Sequence, residues 1–337
     1  MPSAPMTPTT RSPTDVLRNA VAAAVMAPST HNTQPWRFRI SGSTLEVLTD
    51  QTRHLHVIDG ERRQQVQSCG CALFNARVAV RTMGFEDEVT VMFADGQHPA
   101  HVASLHLGAS HPASELDHVL MGAIGKRRTN RRAFLPRPVA SAITEAFAEA
   151  AAREGATMVR LEPGHKKQLA QLIDHADRIQ YGDPAFRKEL AHWLTARGSL
   201  RKDGIPFVEK EYGSGMPFAV MRSLRSPTLG DEVGKIEDEL VNGAPVVIVL
   251  GTAGDDAADW LACGQALQAV LLHATSLGLS AAFLNQVLEI PGSRGRVAEL
   301  VPTVGYPHMV LRIGVPAEPV QHVAPRRSLD DVLTIVA

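Results

Sequence analysis

One segment of this chain occurs twice. QSCGCALFNARVAVRTMGF, starting at Gln67, aligns without gaps with LACGQALQAVLLHATSLGL, starting at Leu261. Cys69 then pairs with Cys263, Gly70 with Gly264, Ala72 with Ala266, Leu73 with Leu267 and Gly84 with Gly278. A long-period repeat constrains a fold strongly, because each copy specifies the same local unit. In both copies a Gly and an Ala stand near the start of a long apolar helix, where small side chains let a second backbone approach closely. The repeat therefore predicts two helices that cross where two related halves meet.

The remaining pattern fits two mixed α and β halves. Val16, Leu17, Ala20, Val21, Ala24 and Val25 recur at helical spacing from Thr14, a cap candidate, to Ala27, and Pro28 stops the run. WRFRI and TLEVL flank Ser41-Gly42-Ser43 as two strands about a turn. A long helix over 61–83 ends at Gly84, and strands follow over 88–94 and 101–108. The second half has helices over 139–153, 165–181, 184–196 and 256–277, with strands over 245–250 and 309–313.

Bulk properties exclude some classes. The chain has 337 residues, 44% hydrophobic, enough for two domains or one large fused fold. A formal net charge of -1 argues against general binding to nucleic acid or a membrane surface. No run of about 18 apolar residues occurs, so no membrane-spanning helix is expected. The start, MPSAPMTPTTRSP, lacks an apolar core and reads as a flexible lead-in over 1–13 rather than a secretory signal. Of three cysteines, Cys69 and Cys71 are too close on one helix to bridge, which suits a reducing, cytoplasmic setting. His98, His101, His106, His111 and His118 cluster in sequence, but HPAH lacks the spacing and flanking ligands of a zinc motif, and no metal is expected. No Rossmann, Walker or nucleophile-elbow motif is present.

Two short segments carry the chemistry: APSTHNTQPW over 27–36 and RRTNR over 127–131. Arg127, Arg128 and Arg131 offer planar forks suited to phosphate oxygens, and Thr129 adds a hydroxyl. Ser29, Thr30 and Asn32 can present hydroxyl, amide and backbone groups from a turn stiffened by Pro28 and Pro35. His31 lies within that turn, as a hydrogen-bonded spacer or a proton donor. Taken alone, RRTNRR also reads as a solvated basic face, and the turn as a plain helix stop before a core Trp36.

Together these segments resemble the two signatures of the FMN-dependent nitroreductase family, in which a flavin phosphate meets arginines from one subunit and a Pro-Ser-Ser/Thr-x-Asn turn from the other. Here both stand in one chain, as in the tandem, single-chain, Acg-like branch. The resemblance runs from Thr14 to Leu333. It implies an α+β, nitroreductase-like fold in which two tandem halves, 14–122 and 123–337, form an intramolecular pseudo-dimer, each with a central antiparallel-type sheet. The first copy has only Arg11-Ser12-Pro13 where the arginines belong, and the second has no turn after its matching helix. Both losses fall on the same site, so one FMN per chain is implied.

The resemblance also assigns Phe283, Leu284, Asn285 and Gln286 to the stretch along the isoalloxazine edge, with backbone N–H groups near the reactive nitrogen. The family usually has an acidic residue followed by Gly there. PRRSLDDVL resembles the segment that closes the phosphate pocket, which makes Arg326 and Arg327 candidates, although a solvated tail reads equally well. The implied activity is NAD(P)H-dependent reduction of nitro, quinone or related small-molecule acceptors, the flavin carrying the chemistry with no protein nucleophile. The alternative is a storage or sequestering protein whose flavin is closed in with little turnover. The stretch over about 180–229, long and rich in Gly and Pro, reads as a lid that decides between them. Because a pseudo-dimer already buries the family's dimer interface, a monomer is expected.

Overall fold

The protein is described here by a computed structural model that covers residues 12–93, 100–195, 199–206, 240–319 and 323–336. Most of the lead-in, His98, and positions 196–198 and 207–229 of the expected lid lie outside the described residues.

The two repeat copies form α2 (Arg63–Thr82) and the helix here called α7 (Ala257–Ser276). They cross at the paired glycines. A Cβ on Gly70 would lie 3.0 Å from the Gly264 Cα and would collide with the Leu261 carbonyl, and one on Gly264 would collide with the Gln67 carbonyl. Only hydrogen at both positions permits so close a backbone approach. Nearly all of α2 is buried, because it is packed by α1 (Pro13–Ala24) on one side, by α7 on another and by a sheet on a third.

Two sheets flank the pair. The first has the order β11-β1-β2-β4-β3, from β1 (Trp36–Ser41), β2 (Thr44–Thr49), β3 (Phe85–Val91), β4 (His101–Ser110) and β11 (Leu333–Val336). The β1–β2 hairpin turns at Gly42, φ 57°. The second sheet has the order β5-β8-β10-β9, from β5 (Thr157–Arg160), β8 (Val246–Thr252), β9 (Ser280–Phe283) and β10 (Tyr306–Gly314). β8 is buried on both faces, as its unbroken apolar run requires.

Several expectations need correction. α1 is capped by the Ser12 hydroxyl, which accepts from Asp15 N–H, and not by Thr14. The helix α3 (Glu115–Ile124), missed in the sequence, starts at a Ser114/Asp117 capping box and carries His118, while His101 and His106 lie in β4. His106 bonds the Thr44 hydroxyl, and His101 bonds Ala103 O and the Ser104 hydroxyl, so both rings have local structural partners. β11 pairs parallel with β1, so the first sheet is not purely antiparallel. The segment 323–336, assigned above to the second half, instead supplies an edge strand that would otherwise be missing beside β1.

Part of the expected lid is ordered secondary structure. α4 (Ser141–Arg153) packs on α7, and the chain then reaches α5 (Pro163–Gly182) and α6 (Pro184–Trp193). α6 leads to a two-stranded parallel pair, β6 (Leu194–Thr195) with β7 (Ile205–Pro206). Phe186, Leu190 and Trp193 share a small apolar cluster with Leu55 and Ile58 of the first half. The Glu189 carboxylate accepts from the N–H groups of Val57 and Ile58, and Arg53 pairs with Asp203 at 2.7 Å.

Candidate functional site

A cavity of about 350 Å³ opens where the two halves meet, within the size range of small-molecule sites. Twelve of the fourteen candidate residues line it: Pro28, Ser29, Thr30, Asn32, Arg127, Arg128, Thr129, Arg131, Phe283, Asn285, Gln286 and Arg326.

The turn after α1 is shaped by strain. His31, Asn32 and Gln34 hold left-handed φ values of 51°, 54° and 49°, which side-chain-bearing residues adopt only when their surroundings compel it. The compulsion is visible in the bonding. The Ser29 hydroxyl accepts from Gln34 N–H, and the Thr30 hydroxyl donates to Gln64 Oε1 at 2.6 Å. The Asn32 amide donates to Gly204 O and Pro325 O, while its Oδ1 accepts from Arg326 at 3.0 Å. Arg326 also donates to Met26 O and Ala27 O, carbonyls left open just beyond the end of α1. His31 is held neutral, its pKa lowered to about 4 by burial and then by the charge of Arg131.

The arginine segment is fixed from beneath. Thr129 bridges to Ala281, and Asn130 N–H donates to Ala281 O at 2.9 Å, so RRTNR lies along the edge of β9. Arg312, buried in β10, donates to Arg132 O and Asn130 O and stacks over Phe134. Among the described residues, none of Arg127, Arg128 and Arg326 is in an ion pair, and the Nε atoms of Arg127 and Arg326 are buried without partners. Burial and then the Arg128 charge pull the Arg127 pKa down to about 10, against the opposing effect of Cys71. Burial and then the charges of Arg127 and Arg128 pull Arg326 to about 9. Guanidinium groups keep their proton at neutral pH, so these depressions reflect first the burial of a charge and then the like charge beside it. An anion bound among them would relieve it.

Two candidates lie outside the cavity lining. Phe283 and Asn285 face the cavity, whereas Leu284 is fully buried in the second core cluster. Its N–H is taken by Val310 O, so it offers no free donor to a ring edge. Arg326 faces the cavity, while Arg327 turns away to Gln34 O, Asp331 O and the Asp50 carboxylate at 3.3 Å.

Other lining residues were not foreseen. Gln64, Gln67, Ser68 and Cys71 form one stripe on α2, and Asp177, Gln180 and Tyr181 come from α5. Gln67 is fully buried, with neither amide atom bonded among the described residues. Glu289, in the short helix α8 (Gln286–Glu289), accepts from Gln64 at 2.8 Å and from Gln180 at 2.6 Å. Its pKa is raised by burial, which outweighs those two bonds and the field of Arg63. The α2 stripe had a signal in the sequence: polar residues at helical spacing, where the second copy has Leu261 and Ala262 in place of Gln67 and Ser68.

Comparison with known proteins identifies a family. Residues 124–301, just over half of the chain, match the sequence model described as the nitroreductase family. Two proteins of Mycobacterium tuberculosis (strain ATCC 25618 / H37Rv), both provisionally named NAD(P)H nitroreductases, are similar over nearly their whole length. The first, Rv3131, is 32% identical over 323 residues, 95% of this chain and 91% of its own. The second, acg, is 28% identical over 339 residues, 98% of each. Among solved structures, the FMN-dependent nitroreductase NfnB from Mycobacterium smegmatis in complex with NADPH is 17% identical over 66% of this chain and 100% of its own, TM-score 0.44. A nitroreductase with bound FMN from Bacteroides fragilis NCTC 9343 is 17% identical over 65% and 98%, TM-score 0.39.

Proposed function

The chain belongs to the nitroreductase family, and on that premise we propose that it holds one FMN in the cavity between its halves and reduces small-molecule acceptors at the expense of NAD(P)H. The observation that carries this reading is the arginine cluster at the cavity, Arg127 buried and Arg128 and Arg326 half-buried, which has no carboxylate partner among the described residues. Arg127, Arg128 and Arg326 would hold the phosphate, with Arg131 and the Thr129 hydroxyl beside them. A phosphate in that place would supply the missing counter-charge.

Along the rest of the cavity, Ser29, Thr30 and Asn32 would flank the ribityl chain, and Gln67 would satisfy its unbonded amide on a polar ring edge. When bound, FMN supplies hydride and electron transfer, so no protein nucleophile is required. The protein's part is to orient the ring, to exclude water with the apolar side chains of α6 and β7, and to keep His31 neutral beside Arg131. The cavity joins residues of both halves, which supports reading the chain as an intramolecular pseudo-dimer.

One feature favours the storage reading as a second possibility. The wall made by α6 and β7 is fastened to the first half through Glu189, Asp203 and Gly204. A wall so fixed restricts entry of a bulky donor. Anaerobic mixing of the FMN-loaded protein with NADH and then NADPH, followed by flavin absorbance, separates the two. Rapid bleaching is expected for the reductase. Yellow colour that persists until dithionite is added would overturn it in favour of storage.

A further inference from the structure

The cavity has two electrically different ends, and α2 measures the distance between them. Gln64, Gln67, Ser68 and Cys71 recur at i, i+3, i+4 and i+7 and all line it. Cys71 stands in the field of Arg127, whereas Gln64 bonds Glu289. At ~1.5 Å rise per residue, the arginine end and the Glu289 end are about 10 Å apart. Between them lies the Gln67 amide, buried and unbonded among the described residues, a polar group that a flat ligand in this cavity would satisfy.

We propose that the Glu289 end selects a flat aromatic reaction partner that is neutral or cationic and donates a hydrogen bond, and that Glu289 sets this preference. The inference rests on the reading above only in giving the arginine end to the cofactor phosphate. In its ionised form, which the bonds from Gln64 and Gln180 and the field of Arg63 favour against burial, Glu289 accepts one amide bond at each oxygen and retains a second lone pair there for an incoming N–H or O–H. Asp177, also buried, lines the same wall, and Glu189 adds to the negative field. Among the described residues, the cation whose field reaches Glu289, Arg63, does not line the cavity; its guanidinium is bonded to Leu288 O and Pro307 O behind α8. Phe186, Leu190 and Ile205 supply an apolar face for a ring. A sulfonate, carboxylate or phosphate brought to this end would lose hydration and meet carboxylates, while an ammonium or hydroxyl would meet an acceptor.

The test titrates the full-length, oxidised, FMN-loaded protein with three 1,4-naphthoquinones that share one ring: aminoalkyl-substituted, unsubstituted and sulfonated. Dissociation constants come from the change in flavin absorbance, which needs no turnover. The amine is expected to bind about tenfold tighter than the sulfonate, with the parent between them. Glu289→Gln should bring that ratio close to one, mainly by tightening the sulfonate. Equal constants in the unaltered protein, or an unchanged ratio in Glu289→Gln, would overturn the proposal. Glu289→Ala provides a second variant in which the ratio should also fall toward one, should Glu289→Gln not fold. If the protein does not take up FMN, the earlier reading fails alone, because the same series read by tryptophan fluorescence still reports the charge preference.

Discussion

Arg77 and Arg81 on one face of α2, and Arg127, Arg128 and Arg326 at another, are both arginine clusters, yet among the described residues only the first meets carboxylates. Arg77 pairs with Asp87 and Glu154, and Arg81 with Asp87 and Asp117. Burial pulls the Arg77 pKa down, but the Glu154 and Asp87 carboxylates outweigh it and hold the pKa up. Arg127 and Arg326 are depressed instead, first by burial, with no carboxylate of the described residues among the charges that act on them; Arg128 adds to the depression at both, and Cys71 opposes it at Arg127. The repeat sharpens the contrast. Cys71 of the first copy lines the cavity beside Arg127, while its counterpart Gln265 accepts a hydrogen bond from Arg77 at 2.8 Å. One face of the crossed helices is closed by its own charges, and the other is left positive. A charge cluster is thus informative through its partners rather than its composition.

Three experiments would break or refine this contrast. Arg77→Ala leaves Glu154 partly buried without its cation and Asp87 with Arg81 alone, and should cost roughly 3 kcal/mol of unfolding free energy in urea. A loss near zero would mean that the closed face is only a surface network. Arg127→Met should act in the opposite sense. The ligand-free protein should be no less stable, since a buried uncompensated charge is removed, while FMN affinity falls by about 2 kcal/mol, some thirtyfold. Lower stability with unchanged FMN affinity would reverse the roles assigned to the two clusters. The smallest effect should come from His31→Gln. His31 has a folded pKa of about 4 against 6.5, so the unfolded chain binds more protons between those values and stability rises with pH across the window. The variant should flatten that slope, by about 1 kcal/mol for a partly buried ring. An unaltered slope would remove His31 from the field of Arg131.

The sequence made some of this legible and hid the rest for physical reasons. The helix crossing could be read because Gly70 and Gly264 recur in register and glycine has a specific use where backbones touch. The turn at Pro28 and the arginines at 127–131 could be read because rare residue types stand in fixed order. Leu284 and Arg327 lie outside the cavity lining because Leu284 packs into the second core cluster and Arg327 pairs with Asp50, long-range contacts that nothing local in the sequence marks. Asp177, Gln180 and Glu289 were missed because nothing local marks a polar residue as facing a cavity rather than solvent; the docking of α5 against α8 decides it. The capping box of α3 was present in the sequence as Ser114 and Asp117 and was readable in retrospect.

The pairing of β11 with β1 joins Phe38 to Leu333, and Arg326 in the same segment braces the turn after α1. During synthesis the first half therefore emerges with a sheet that lacks one edge strand and a turn that lacks its brace. Both arrive only after the whole of α7 and β10 has left the ribosome. A contact of such long range makes closure of the cavity a late event in folding, and it places the nascent first half, with β1 unpaired on one side, among the forms that chaperones would have to shield.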